Sequence, residues 1–226
     1  MAGSRLELVF GDTPPEGRLL LIGAGAASDL DRFDPARTQV VQRLFPEFAA
    51  LKARGLAPVT APEGDFDAAV VFLPRARAEA RARIAQAAAH LAPGASLWVD
   101  GQKTDGVDSV LKEVRALAPV DGIQSRAHGK IFRVTLPEPG WLPADWAAQD
   151  HQAAPGFVTR PGVFSADGPD PASVALAAHL PDKLPTRMVD LGAGWGWLSA
   201  QVLAHPGVEV LHLVEADAVA LDLSLI

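Results

Sequence analysis

Three glycines at alternate positions, Gly192, Gly194 and Gly196, close a short apolar run that carries one acid, Asp190. A second acid, Glu215, ends the next apolar run, which begins at Val208. Glycine tolerates positive φ and has no Cβ, so this spacing allows a tight turn and a ligand close to the backbone. Trp197 to His205 is predicted to be a helix whose free N–H groups face that turn, and Pro206-Gly207 stops it. An acid at the end of the following strand can accept hydrogen bonds from vicinal ribose hydroxyls. Together these residues describe a nucleotide-cofactor site. A dinucleotide fold wants G-x-G-x-x-G. Counted from Gly192, its third glycine would fall at Trp197, but the glycine stands at 196. The plain alternative is a glycine-rich βα turn with no ligand. Turn, helix length, stop and acid together favour the cofactor.

The elements that must hold these residues belong to a chain of 226 residues, enough for one large or two small domains. Hydrophobic content of 49% against 21% charged describes a globular chain. The absence of cysteine excludes disulfides, thiolate metal sites and a cysteine nucleophile. The six histidines (His90, His128, His151, His179, His205, His212) show no metal spacing, and no metal is expected. A net charge of −7 argues against strong non-specific nucleic-acid binding but leaves room for a local basic patch. The N-terminus carries no secretory pattern and no run reaches bilayer length, so a cytoplasmic protein without membrane contact is expected.

Strand and helix signals alternate along the chain. Arg5 to Phe10 alternates apolar and charged residues and predicts a short strand. Arg18 to Ile22 predicts a buried strand followed by Gly23-Ala-Gly25. Thr38 to Leu44 is ambiguous. Glu47 to Arg54 predicts a helix, Phe66 to Leu73 a buried strand, Arg75 to Leu91 an Ala-rich helix and Ala95 to Val99 a strand. Gly106 to Leu117 is helical, with Val107, Val110, Leu111, Val114 and Leu117 on one face. Lys130 to Leu136 is a strand. Such alternation implies βαβ units and a mostly parallel sheet. Five prolines between Pro137 and Pro161 mark an interdomain connection, with Trp141 and Trp146 as packing anchors. The expected division is a first domain over 1–136, a Pro/Gly-rich linker over 137–160 and a second domain over 161–226.

An internal repeat runs through this pattern. Arg18-Leu-Leu-Leu-Ile-Gly23-Ala-Gly25-Ala-Ala27 overlays Arg187-Met-Val-Asp-Leu-Gly192-Ala-Gly194-Trp-Gly196. In this overlay Leu21 replaces Asp190, Ala27 replaces Gly196, and Pro46 replaces Glu215, with Glu47 one position off. The first half thus reads as a copy of the second half's fold with its ligand features lost.

The motifs now support a resemblance. Asp190 with G-x-G-x-G resembles motif I of class I S-adenosylmethionine-dependent methyltransferases, and Glu215 resembles the end of motif II. The whole chain resembles the bacterial small-subunit ribosomal RNA guanine-N2 methyltransferases of the "methyltransferase small" group. Three stretches carry this: Asp100 to Ser109, Pro161 to Ser173, which holds Phe164-Ser165, and Asp190 to Ser199. The resemblance implies tandem Rossmann-like α/β domains, the second incomplete. It implies S-adenosylmethionine as cofactor, and ribosomal RNA or the small ribosomal subunit as partner. Gly192, Gly194 and Gly196 would lie under the methionine and ribose of the cofactor, with Ala193 between them. Trp195 would line the pocket, while Trp197, one residue into the helix, is expected in the core. Asp190 would reach the methionine amino group, Glu215 would hold the ribose, and Phe164 and Ser165 would close one side. Asp170-Pro171 has a local reading as helix N-cap and first helical residue, which needs no ligand.

The family's catalytic signature, Asn-Pro-Pro-Phe at the end of the fourth strand, clamps the amine of a flipped base. The sequence does not contain it; Phe72-Leu73-Pro74-Arg75 stands at the equivalent place in the first copy. The expectation is therefore a chain truncated inside its catalytic domain. Arg75, Arg77, Arg81 and Arg83 offer a face for RNA phosphates, to which Lys103, Arg126, Lys130 and Arg133 could add. The alternative is a solvated helix with Glu79 paired to Arg83. Two other functions stay open: a non-catalytic RNA- or protein-binding module on a methyltransferase-like scaffold, and methylation of another RNA base or a protein glutamine.

Overall fold

A computed structural model describes residues 4–224. The chain divides into two compact units, Met1–Ala148 and Gln149–Ile226.

The first unit is built on a seven-stranded sheet. Its strands are β1 (Leu19–Ile22), β2 (Thr38–Val41), β3 (Pro58–Val59), β4 (Phe66–Phe72), β5 (Leu91–Gln102), β6 (Val120–Arg126) and β7 (Gly129–Thr135). Their order is β3-β2-β1-β4-β5-β7-β6. The five strands β1 to β5 are parallel, and β7 runs antiparallel to both β5 and β6. Strand order reverses between β1 and β4, where open α/β sheets place their ligand crevice. β1 is buried at every position. Leu20 and Ile22 join one apolar cluster, Leu19 and Leu21 the other. A parallel strand covered on both faces needs such an uninterrupted apolar run.

Helices cover both faces. They are α1 (Arg5–Phe10), α2 (Phe45–Ala53), α3 (Arg77–Ala88) and α4 (Val107–Arg115). The stripe Val107, Val110, Leu111 and Val114 is buried, as its spacing predicts. One expectation needs correction and two stretches need completing. Arg5 to Phe10 is a helix, because Ser4 caps it through Glu7 N–H and the buried pair Leu6 and Phe10 is spaced by four, not two. Thr38 to Leu44 divides into strand β2 and the N-cap of α2. The unforeseen strand β6 forms a hairpin with β7, turning through Ala127 and His128, both at positive φ.

The arginine-rich helix is largely neutralised within its own unit. Arg77 and Arg81 pair with Glu113 of α4, and Arg83 pairs with Glu79 and donates to the Phe72 carbonyl. Arg133 pairs with Asp121 and Lys130 with Asp108. The solvated-helix alternative describes α3 better than a face of free cations.

The second unit opens with an antiparallel hairpin, β8 (His151–Ala154) and β9 (Phe157–Thr159), in the stretch expected to be only a connection. Helix α5 (Pro171–Ala178), strand β10 (Arg187–Leu191), helix α6 (Trp197–Leu203), strand β11 (Val210–Val214) and helix α7 (Ala218–Ser224) follow. β10 and β11 pair in parallel. The core of this unit is small: Val163, Trp195, Ala220 and Leu223. An apolar stripe Val219, Leu223, Ile226 is expected on the last helix, but Ile226 lies outside the described residues. Among the described residues, no helix is long and apolar enough to cross a membrane.

Candidate cofactor site

The site of the second unit lies where β10 runs into its glycine turn. Leu191 ends the strand, and Gly192, at φ 79°, turns the chain so that its N–H donates to the Val214 carbonyl at 2.7 Å. Gly194 and Gly196 also sit at positive φ. This loop, the segment after β9 and the start of α5 enclose a pocket of about 70 Å³. Phe164, Ser165, Asp190, Gly192, Ala193, Gly194 and Trp195 all line it. Asp170, Ser173, Trp197 and Leu198 line it too, and none of these four was singled out as a ligand contact from sequence. The pocket is smaller than the roughly 300 Å³ of a drug-sized site and opens to solvent.

Two carboxylates in this pocket are held in the same way. Asp190 Oδ2 accepts the Ser199 hydroxyl at 2.6 Å, from the first turn of α6. Asp170 caps α5: its Oδ2 accepts from Ser173 N–H at 2.9 Å and from the Ser173 hydroxyl at 3.3 Å. In each case the other carboxylate oxygen bonds no protein group among the described residues. No lysine, arginine or histidine lines the pocket. The sequence signal for Ser199 was weak, because a serine in a helix's first turn ordinarily needs no partner.

Trp195 is 4% exposed although it belongs to the loop. Its indole N–H donates to the Phe164 carbonyl at 3.1 Å, and its ring meets Phe157 edge-on with centroids 5.5 Å apart. One side chain thus ties together the glycine loop, the Phe164-Ser165 segment and the β8–β9 hairpin. Ser165 adopts φ 52°, rare for a non-glycine residue, while its hydroxyl donates to the Gly168 carbonyl. The Phe164 side chain is left 72% exposed beside the pocket.

Gly196 and Glu215 stand outside the pocket lining. A Cβ at Gly196 would lie 2.9 Å from Ser224 Cβ and 3.2 Å from Ser224 Cα, so this glycine admits α7 as well as the turn. Gly196→Ala is expected to destabilise the second unit by about 2–4 kcal/mol, combining positive-φ strain with overpacking. A thermal or denaturant melt reads this, and a variant as stable as the parent would refute the close approach of α7. Glu215 lies beneath the loop: its Oε2 accepts from Gly194 N–H at 2.7 Å and its Oε1 from Asp217 N–H at 2.8 Å.

The first unit repeats this geometry with altered residues. Gly23 turns at φ 78°, and its N–H donates to Val41 as that of Gly192 does to Val214. Sheet register changes the match for Glu215. Leu21 pairs with Val40, whereas Asp190 pairs with Leu213. The crossover of the second unit is thus four residues longer, running from 190 to 213 against 21 to 40. Two residues beyond these partners stand Glu215 and Gln42. The constant sequence offset that put Pro46 there does not survive the longer crossover. Gln42 is buried, its Oε1 accepts from Leu44 N–H at 2.9 Å, and its Nε2 donates to the Ala24 carbonyl at 2.8 Å. An amide has taken the acid's place and still braces the loop.

Comparison with known proteins places this geometry. Residues 155–225 match the model for the methyltransferase small domain, and residues 11–149 match that for the methyltransferase small domain N-terminal. A ribosomal RNA small subunit methyltransferase C of Stutzerimonas stutzeri is 32% identical over 220 residues, covering 92% of this chain and 65% of that protein. Its counterpart in Pseudomonas putida KT2440 is 31% identical over 221 residues, again covering 92% of this chain and 65% of the relative. The chain therefore spans about two thirds of the length of these relatives. Among solved structures, the T. thermophilus 16S rRNA N2 methyltransferase RsmC, in complex with AdoMet and guanosine, matches at 26% identity with a TM-score of 0.75. That match covers 97% of this chain and 64% of the other. The two halves of the repeat thus correspond to the two domain models in order, and the chain belongs to the methyltransferase small family.

Proposed function

We propose that the second unit is the cofactor-binding part of an S-adenosylmethionine-dependent methyltransferase acting on a guanine N2 amine of small-subunit ribosomal RNA. The observation that carries this is the pocket at the end of β10, where Asp190 is aimed by Ser199 beside a three-glycine turn braced by Glu215. The donor set fits the cofactor, because a pocket with free carboxylate oxygens and no cation suits an ammonium-bearing methionyl group. When bound, S-adenosylmethionine supplies an electrophilic methyl group on a sulfonium. The chain's own part is placement. Asp190 would take the methionyl ammonium, the open backbone at Gly192 and Gly194, where no atom lies within 4 Å of a missing Cβ, would let the cofactor lie close, and Glu215 would accept from the ribose. Phe164, Ser165 and Trp195 would wall one side against water. The guanine N2 target and the ribosomal RNA partner rest on the family and on the T. thermophilus relative, whose structure contains AdoMet and guanosine.

The first unit has a larger crevice at its strand ends, about 390 Å³, yet several of its charged groups are paired with one another. Arg5, brought in by α1, donates from Nε and Nη2 to Asp100 at 2.5 and 2.9 Å. Ser4 donates to Asp29; this bond first, then Arg32, holds the Asp29 carboxyl below the usual carboxylate range. Glu47 accepts from Ala26 N–H. Gln42 offers the ribose no carboxylate. Calorimetry of the 226-residue chain with S-adenosylmethionine is therefore expected to give one site per chain. Two sites, or survival of the site when Asp190 and Glu215 are both replaced by alanine, would overturn the assignment.

A further inference from the structure

We infer that Asp170 is a second cofactor carboxylate, one that holds the methionyl ammonium together with Asp190; this rests on the cofactor reading above. Helix capping occupies only one of its oxygens. Ser173 supplies both bonds to Oδ2, through its N–H and its hydroxyl. The remaining oxygen belongs to a residue that lines the same pocket of about 70 Å³ as Asp190. Asp190 is likewise pinned through Oδ2, by Ser199. Two carboxylates thus share one small pocket, each with one oxygen fixed by a serine and one unclaimed. No cationic side chain lines the pocket, so a ligand cation would be the partner that both unclaimed oxygens lack.

The chemistry selects an ammonium. A primary ammonium has three N–H donors on one atom, and two carboxylates can take two of them as charge-assisted bonds. The exposed ring of Phe164 and the half-buried ring of Trp197 border the same pocket. The ammonium of the amino-acid end is the part of the cofactor that two unclaimed carboxylate oxygens suit; its own carboxylate would face away from them. Capping alone does not account for the arrangement, because serine, threonine or asparagine caps a helix without placing a second charge in the pocket.

Asp170→Asn separates the two roles, since asparagine keeps the cap and removes the charge. The parent chain and the variant would be titrated with S-adenosylmethionine, S-adenosylhomocysteine and 5′-methylthioadenosine, read by the indole N–H resonances of Trp195 and Trp197. The first two ligands carry the amino-acid end; the third lacks it. The variant is expected to lose about tenfold in affinity for the first two, as for a charge-assisted bond, and nothing for the third. Asp170→Ser, also a capping residue, is expected to reproduce this selectivity. Unchanged affinity for all three ligands, or an equal loss for all three, would show a purely structural residue and overturn the inference. A parent chain that binds none of them overturns the cofactor reading itself, and the Asp170 role with it.

Discussion

Methyl-transfer assays on small ribosomal subunits are expected to show no turnover by the 226-residue chain, beside robust turnover by a full-length relative. The reasoning starts from the internal repeat. In the first unit β1 is flanked on its second edge by β4, with Leu19 opposite Ala68 and Ile22 opposite Val71. β4 delivers Phe72-Leu73-Pro74 to the end of the sheet beside the crevice. In the second unit β10 pairs with β11 alone among the described residues. Leu191 is 77% exposed and Val189 54%, where their counterparts in β1 are buried. Among the described residues no strand stands where one carrying a base-clamping Asn-Pro-Pro-Phe would, and the 226 residues contain no asparagine. A nucleophilic amine must be held in line with the methyl group, and such positioning accounts for about 7–11 kcal/mol of the barrier to a bimolecular transfer. Its loss lowers the rate by several orders of magnitude, below the floor of a radiolabel assay. Turnover within tenfold of the full-length relative would show that this chain carries its own amine clamp.

The sequence made the frame of both units legible where one physical signal dominated. β1, and β4 from Ala68 onward past the exposed Asp67, are apolar runs because parallel strands are covered on both faces, and α4 shows its buried stripe at helical spacing. The glycine turn was legible because positive φ at 192, 194 and 196 selects glycine. Legibility failed where two signals competed. Arg5 to Phe10 alternates like a strand, yet the Ser4 cap and the Leu6–Phe10 pair decide for helix. β6 carries Asp121, Gly122, Gln124 and Ser125, and it is a strand only because it pairs with β7.

The site residues divide along a similar line. Seven of the nine expected positions line one pocket, since they follow directly from the turn and from the segment packed over it. Gly196 and Glu215 do not, and both have structural duties that spacing alone cannot reveal. Gly196 receives a helix from later in the chain. The match of Glu215 to the first unit was misread, because a constant offset takes no account of a crossover four residues longer. Only strand register identifies Gln42 as the counterpart. Ser199 is hidden for another reason: the turn, not sequence, brings its partner Asp190 close. The Asp170 cap with Ser173 is local and legible, but its place in the pocket is not.

Glu215→Ala is expected to weaken S-adenosylmethionine binding by about 1.5–3 kcal/mol, the range for hydrogen bonds to a charged group. It should also lower the melting temperature of the second unit, because the carboxylate already accepts two backbone N–H groups. Oε2 holds Gly194 at 2.7 Å and Oε1 holds Asp217 at 2.8 Å. A carboxylate has about four lone-pair sites, so two remain for ribose hydroxyls while these bonds persist. Alanine removes both functions and leaves Gly194 N–H unpaired beneath the loop. Glu215→Gln keeps one acceptor oxygen and so can hold only one of the two N–H groups; Gln42 in the first unit accepts from Leu44 N–H but turns its amide nitrogen to the Ala24 carbonyl, not to an N–H. The glutamine variant should therefore melt between the alanine variant and the parent and still lose most of the cofactor affinity, because its NH2 group cannot accept from a hydroxyl. Calorimetry and thermal melts of the two variants side by side read both effects. A folded alanine variant with the affinity of the parent would remove Glu215 from the ribose site and leave it as a loop brace, the role Gln42 still fills where no cofactor carboxylate remains.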